Sequence, residues 1–458
     1  MKKIGKQTYK MANDVYIRDV YTIAGTKEGE GPLKNEIDYL LSDSIWGEKT
    51  WEKCEAKMQQ YAVENLIKKN NLKKSDIDIM LAGDLLNQIV SSSFAARSLE
   101  IPFIGLYGAC STMALSMGVG ALLIDGGFAS NVVCVTSSHF CSAERQYRTP
   151  LESGGQRHMS AQWTVTGSGA VWLSNKNDND DCPKIKNVTF GKIVDLGVTD
   201  ANNMGAAMAP AFADTIRQNI IDTNVDINYD LIVSGDLGTI GKQIANKLLK
   251  DEGINIENKY DDCGTIIFDI DKQDVHAGGS GCGCSAVVFG SFLYKKLRKK
   301  EINTLLFTAT GALHSPTVSL QGESVPGIAH SIGISNWEVD YMNYLMSFIV
   351  GGLICVIGQL IMDIKKVNPA YILVTFVLAG VVLGYLGIYD KIIEFGYSGA
   401  TVTLPGFGYS LAKGALEETA KNGFLGVLSG GIKATAAGVG AALVFGYLVS
   451  LIFNAKSK

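Results

Sequence analysis

GACSTMALSMGVGALL, residues 108–123, and CGCSAVVFGSFLYKKL, residues 282–297, are the two stretches on which the fold turns. Each opens on a turn containing Gly and Cys and runs on as a helix of small and apolar residues, in the first copy with no charge before Asp125. A helix that is apolar all round leaves no face for water, so both belong between other layers of structure. The match sets Cys110 opposite Cys284, and it does not stand alone. Upstream, IDIMLAGDLLNQ (Ile77–Gln88) resembles YDLIVSGDLGTI (Tyr229–Ile240), an apolar strand ending in Gly-Asp-Leu. Downstream, NVVCVTSSHFCS (Asn131–Ser142) resembles NTLLFTATGALHS (Asn303–Ser315). Three matches in one order make residues 1–335 an internal duplication, with halves at about 1–190 and 191–335. Short β-rich runs alternating with helices predict a layered α/β fold with strands covered on both faces. Each half is expected to run strand, helix, Gly-rich turn, helix, strand.

The composition breaks near Trp337. Of the 41 basic and 45 acidic residues in the 458-residue chain, residues 337–458 hold 8 and 7. Three charge-free runs lie there: Met342–Met362, Ala370–Tyr389 and Ala434–Phe453. Each is long enough as a helix to cross a hydrocarbon core of about 30 Å. Phe395–Ala412, rich in Gly, Ser and Thr and broken by Pro405, reads as a re-entrant or cavity-lining segment. Residues 336–458 are thus expected to form an all-α membrane region with three or four such segments. Small residues at four-residue spacing (Gly380/Gly384, Gly426/Gly430, Ala434/Gly438) suit close helix packing. Only Lys433 stands at the entrance to a run, which does not indicate a charge-relay transporter. Lys365, Lys366, Lys456 and Lys458 favour a cytoplasmic side at two points, which three crossings satisfy only with the first run starting outside.

A net charge of -4 lacks the basic excess of a nucleic-acid binder, and no nucleic-acid partner is expected. The start, MKKIGKQTYKMAND, has no apolar run of a secretory signal. Nine scattered cysteines predict neither a disulfide framework nor a zinc knuckle, and a reducing compartment suits them.

The duplicated layers with a Cys heading a buried helix resemble the thiolase and ketoacyl-synthase superfamily. More closely, residues 1–335 resemble the stage V sporulation protein AD family of spore-forming bacteria. The resemblance runs through GKQT (Gly5–Thr8), GTKEGEGPL (Gly25–Leu33), LAGDLLNQ (Leu81–Gln88), GACST (Gly108–Thr112) and SSHFCSAERQYRTP (Ser137–Pro150). It continues through TGSGAV (Thr166–Val171), DLGVTDANNMGAAMAPAFADTI (Asp195–Ile216), DCGTIIF (Asp262–Phe268) and GGSGCGCSAVV (Gly278–Val288). The membrane region resembles the stage V sporulation protein AE family, so the chain reads as a fusion of two components.

Cys110 is the residue on which a mechanism would turn. At a helix N-terminus, free N–H groups and the macrodipole favour an anion and lower a thiol pKa. In active relatives such a Cys is acylated and needs a partner His and a second His, Asn or Cys. Those places here are Ser234–Leu237, Gly278–Cys284 and Ala309–Leu313, and none supplies the partner. His276 and His314 read as loop or core histidines, and His139 as the better candidate for a pocket. The resemblance therefore implies a binding protein with no catalytic residue, whose ligand is dipicolinic acid, alone or as its calcium chelate. The alternative is a membrane-anchored acyltransferase using Cys110.

For that dicarboxylate, Cys110, Ser111 and Thr112 offer amides, and Arg145 and Arg148 offer guanidinium forks. Tyr107, Phe140 or Tyr147 suit an aromatic wall. Asp84 is a candidate for calcium or for orienting a donor, with Asp236 its counterpart, and N-capping is the competing role of both. His139 and Ser280 complete the candidate ligand set. No cofactor is expected beyond calcium carried with the ligand, and a metal site is left open. The resemblance further implies a homodimer through the soluble domain and other membrane subunits as partners. It also implies a place in the forespore inner membrane, with the soluble domain on the cytoplasmic side.

Overall fold

The computed structural model describes residues 2–147, 157–177, 182–224, 229–336, 341–365 and 368–452. The chain divides into two compact units, Met1–Trp337 and Glu338–Lys458.

In the first unit the duplication is written into the sheets. The first half contributes β1 (Tyr16–Ala24), β2 (Ile79–Gly83), β3 (Phe103–Gly105), β4 (Asn131–Ser138) and β5 (Gly167–Ser174). The second contributes β6 (Lys184–Phe190), β7 (Leu231–Ser234), β8 (Tyr260–Asp262), β9 (Thr304–Ala312) and β10 (Gly327–Ser335). The first set is ordered β3-β2-β4-β5-β1 and the second β8-β7-β9-β10-β6. Parallel and antiparallel pairings match strand for strand. The two sets meet where Lys184 of β6 pairs with Tyr16 of β1. The repeated sequences fall on equivalent strands, β2 with β7 and β4 with β9. The short strands β3 and β8, which the sequence reading did not place, stand at the two sheet edges.

Helices α1 (Trp51–Lys69) and α2 (Val90–Leu99) belong to the first half, and α1 covers its outer face around Met58, Leu66 and Met80. Between the halves lies α3 (Thr112–Asp125), followed after β4 by α4 (Phe140–Tyr147). The second half adds α5 (Met204–Thr223) and α6 (Gly238–Asp251), which cover the outer face around Phe212, Ile232 and Leu306, and the inner helix α7 (Cys282–Val288). As its composition requires, α3 is buried, packed on strands of both halves. A Cβ at Gly118 would meet Val188 of β6 at 2.8 Å, and one at Gly120 would meet Cys134 of β4 at 3.1 Å. The two glycines thus let one helix touch both sheets. With α7 beside it, the result is a five-layered α/β/α/β/α core.

The second unit is all helical: α8 (Tyr341–Lys365), α9 (Pro369–Tyr385), α10 (Ile388–Thr401), α11 (Leu404–Asn422) and α12 (Phe424–Ile452). Among the described residues, Tyr344–Ile364 is long and apolar enough to cross a membrane, and α9 with α10 passes only as a pair bent by 117°. The second apolar run therefore stops at Tyr385, where Gly387 (φ +69°) turns the chain. Phe395–Ala412, expected as a re-entrant or cavity-lining segment, is a helix–break–helix stretch. It holds the end of α10 and the start of α11, with Pro405 in the first turn, where its missing N–H costs nothing. The third run lies in α12 as far as Ile452, Phe453 being outside the described residues; the helix begins ten residues before the run and passes through Lys433. The small residues make close helix contacts: Gly380 faces the Pro405 carbonyl and Gly430 the Gly414 carbonyl. Lys366, Lys456 and Lys458 lie outside the described residues.

Candidate functional site

The turn entering α3 fixes the position of Cys110. Ala109 adopts a left-handed conformation (φ +49°). Ser111 donates its hydroxyl to the Gly108 carbonyl (2.6 Å), and Thr112 donates to Ala109 (2.6 Å) while accepting from the Gly108 N–H (3.1 Å). Gly311 of β9 lies directly behind: a Cβ there would sit 2.3 Å from the Gly108 oxygen and 3.3 Å from the Cys110 nitrogen. The hydroxyls of Ser111 and Thr112 are thus spent on holding the turn rather than facing a ligand.

The Cys110 sulfur packs with Leu85, Ala143 and Cys282. Its thiol is pushed well above its ordinary value by burial first, and then by the Asp236 carboxyl to which it hydrogen-bonds and by Cys282. This reverses the expectation of a thiol lowered by the helix end: desolvation and a neighbouring acid outweigh the dipole. Asp236 also accepts from the Thr310 hydroxyl (2.7 Å) and the Gly281 N–H (3.0 Å), and burial lifts its carboxyl to about 7. It does not cap α6. Asp262 does, taking the N–H groups of Leu237 (2.7 Å) and Gly238 (2.9 Å).

Asp84 sits apart from the thiol's hydrogen bonds. It is buried and accepts from the Leu86 N–H (2.9 Å) and from the N–H (2.8 Å) and hydroxyl (2.7 Å) of Ser92 in the first turn of α2. That is the capping role, reached across a loop. Burial raises its pKa. Glu55, held by Ser137 (3.0 Å) and Ser142 (2.9 Å), is raised by its own burial and by the charge of Asp84. His139 is likewise satisfied: Nε2 meets the Ser44 carbonyl at 2.8 Å, Nδ1 accepts from the Cys141 N–H at 3.2 Å, and burial lowers its pKa. Arg145 pairs with Glu52 and stacks on Trp51 (5.2 Å), so it offers no fork to the recess. Arg148 lies outside the described residues. Phe140 stacks on Trp163 at 3.7 Å, away from the recess.

Two spaces lie near the turn, and Cys110 lines only the smaller, of about 30 Å³. A small recess is lined by Cys110 with Leu85, Tyr107, Glu144, Ser280 and His314. An outer cavity of about 400 Å³ is lined by Asn87, Gln88, Tyr107, Tyr147, His314 and Ser315 among others. Tyr107, Tyr147 and His314 border both. Of the candidates, Cys110 and Ser280 line the recess, and Asp236 stands behind Cys110. Asp84, Ser111, His139 and Arg145 are used for structure. His314, read as a loop or core histidine, belongs to the site. Its signal was its place two residues beyond β9, close to that of His139, which directly follows β4. The cavity wall also carries strain, since Gln88 (φ +57°) and Ile89 (φ +49°) are both left-handed. No Lys or Arg lines either space among the described residues.

A duplicated, five-layered α/β domain with a buried Cys heading its central helix is a thiolase-like domain, here followed by a helical region carrying an apolar helix. Residues 5–335 match the family described as stage V sporulation protein AD (SpoVAD), and residues 343–452 that described as SpoVAC/SpoVAEB sporulation membrane protein. The chain belongs to the stage V sporulation protein AD family and carries a SpoVAC/SpoVAEB-type region after it. Stage V sporulation protein AD of Bacillus subtilis (strain 168) is 46% identical over 333 residues, 72% of this chain and 97% of that protein. Stage V sporulation protein AC of the same organism is 32% identical over 124 residues, 25% of this chain and 83% of that protein. Among solved structures, an OleA variant of Xanthomonas campestris aligns at TM-score 0.47 and 13% identity, covering 72% of this chain and 100% of its own.

Proposed function

We propose that the first unit binds dipicolinic acid as its calcium chelate and performs no chemistry on it. One observation carries this reading: the Cys110 thiol, pushed up by burial and the Asp236 carboxyl, lies in a recess of only about 30 Å³, whose walls Tyr107, Tyr147 and His314 also line a cavity of about 400 Å³. A site so arranged withholds the thiolate that acyl transfer requires. Free dipicolinate carries two negative charges, whereas its one-to-one calcium chelate is neutral. A described lining of tyrosines, amides and hydroxyls with His314 and Glu144, and without Lys or Arg, suits the neutral species better than the dianion. The chain then serves dipicolinate uptake into the forespore and release at germination. It does so in a SpoVA-type complex of the spore inner membrane with other membrane subunits, as a homodimer through the first unit. Calorimetry of the full chain with dipicolinate, with and without calcium, tests this. Saturable binding that strengthens with calcium is expected, and no saturable heat overturns it.

A second reading, an acyltransferase using Cys110, draws on one observation: His314 lines the same recess as the thiol. It requires an acyl adduct on Cys110 after incubation with acyl-CoA, seen as a mass increase that Cys110→Ala abolishes. No adduct is expected.

A further inference from the structure

Behind the wall of the outer cavity stands a pair of buried acids to which the reading above gives no task. That wall is formed by residues 86–89, where Gln88 (φ +57°) and the β-branched Ile89 (φ +49°) hold a conformation such residues avoid. Asp84 grips the loop at both ends. One of its oxygens accepts from the Leu86 N–H (2.9 Å), the other from the N–H (2.8 Å) and hydroxyl (2.7 Å) of Ser92. On the inner side, Glu55 of α1 meets the hydroxyls of Ser137 at 3.0 Å and Ser142 at 2.9 Å. Gln59, one turn further along α1, joins the two acids: its Nε2 donates to Ser92 Oγ (2.8 Å) and to Ser137 Oγ (2.7 Å).

The hydroxyl protons fix where the charge sits. Ser92 and Ser137 both accept from Gln59, so each turns its own O–H to a carboxyl, Asp84 and Glu55 respectively. Asp84 then has three donors and needs no proton of its own. Ser142 has one proton for two acceptors, since it lies 3.1 Å from the His139 carbonyl as well as against Glu55. With that proton given to the carbonyl, the contact to Glu55 is made by a proton on Glu55. The surrounding charges demand the same. Both acids are buried, and no Lys or Arg among the described residues is ion-paired with either. The titratable groups that face the pair supply no cation: Glu52, itself paired with Arg145, and Cys54 on α1, Cys282 at the head of α7, and Tyr107 ahead of α3. Burial, and then the charge of Asp84, therefore hold the Glu55 carboxyl well above its ordinary 4.5. Once that proton leaves, two carboxylates confront each other in a dry space. Glu55 is enclosed by α1, β4 and α4, whereas Asp84 holds a loop whose Asn87 and Gln88 are exposed, so the loop is the part that yields.

We propose that Glu55 is a positioning residue for the cavity: the proton it carries lets Asp84 stay ionised and clamp both ends of the loop, and its loss lets the cavity wall open. That the cavity holds the ligand rests on the reading given under Proposed function; the latch itself does not.

Amide exchange of the full chain in detergent, read by mass spectrometry on the peptide spanning residues 84–92 from pH 5 to pH 8 and corrected for the intrinsic rate, tests the latch. The closed loop raises the Glu55 carboxyl above 4.5, so closure weakens as pH rises from that value. One proton released on opening makes the opening equilibrium grow about tenfold per pH unit until the carboxyl has ionised. Glu55→Gln, neutral throughout and still able to donate to Ser142, should lose that slope and keep the loop closed. Asp236, Asp262 and Glu28 are common to both proteins, so the difference isolates Glu55. Equal slopes in the two proteins, or no slope in the wild type, overturn the proposal. Should Glu55→Gln fail to fold, the wild type decides: opening confined to residues 84–92 supports the latch, and opening spread over the whole first unit refutes it. Calorimetry with calcium dipicolinate on the same preparations tests the link to the site. Affinity that falls with pH in the wild type and not in Glu55→Gln supports it, and affinity indifferent to pH beside a loop that opens overturns it. Absence of any binding overturns the earlier reading instead, and the exchange result then judges the latch alone.

Discussion

Asp236→Asn probes the electrostatics on which the non-catalytic reading depends. Burial lifts this carboxyl from an ordinary 3.8 to about 7. Between those values the folded chain keeps a proton that the unfolded chain has released. Its contribution therefore makes stability fall as pH rises from about 4 to about 7, and level off above. Each pH unit well inside that window is worth about 1.4 kcal/mol, and because the slope falls as the carboxyl ionises near pH 7, the share of Asp236 from pH 5 to pH 7 is about 2 kcal/mol. Asp262, lifted by burial to about 6, and Glu28, lifted by burial to about 7, contribute with the same sign. The wild type should accordingly lose stability more steeply than one group allows, and the variant should lose one group's share less. Asn preserves an acceptor for the Gly281 N–H and a partner for the Thr310 hydroxyl, so no buried polar group is stranded. Urea unfolding of the full chain in detergent from pH 5 to pH 8 supplies the measurement. A second readout comes from Cys110. With the neighbouring acid gone its thiol should titrate lower and alkylate faster with iodoacetamide at pH 8. Identical pH slopes for variant and wild type would refute the assignment of a buried, proton-holding Asp236. Unchanged alkylation in a stably folded variant would refute its hold on the thiol.

Gly311→Ala should destabilise the first unit by about 1–3 kcal/mol, because the new methyl meets the Gly108 carbonyl, and should weaken dipicolinate binding by displacing Cys110. Denaturation and calorimetry on the same preparation check both effects. His314→Ala should weaken calcium-dipicolinate binding by about tenfold, whereas Arg145→Ala, whose guanidinium is engaged by Glu52 and Trp51, should leave it within about twofold. His330, lowered by burial to about 4, works in the opposite direction to Asp236. Its share of stability is present above pH 6.5 and lost on acidification, by about 2 kcal/mol at pH 5. His330→Asn should flatten that acid limb in a pH-resolved melt.

The fold was legible to the depth of its repeats. The strands that become β2, β4, β7 and β9 carry apolar runs buried on both faces, and the matched sequences fall on equivalent places in the two sheets. β3 and β8 escaped because three residues at a sheet edge leave too little period to read. The membrane region was legible by composition, but its breaks were not. Gly387 and Pro405 sit where helix ends depend on neighbouring helices rather than on the residues alone. Of the candidate site residues, Cys110 and Ser280 line the recess. Asp84 and Ser111 are consumed by near neighbours in the chain, Ser92 and Gly108, and His139 and Arg145 by distant ones, Ser44 and Glu52.

By itself, then, the sequence determined that this is a duplicated α/β domain joined to an apolar helical region, with a Cys at the head of a buried helix. Those features follow from periodicity, repetition and composition, which are local properties of a chain. Only the tertiary structure decided the state of that Cys and the company it keeps. Its pKa direction depends on burial and on Asp236, 126 positions away in sequence. Likewise His314 lines the recess because packing, not spacing, sets which polar groups share a desolvated space.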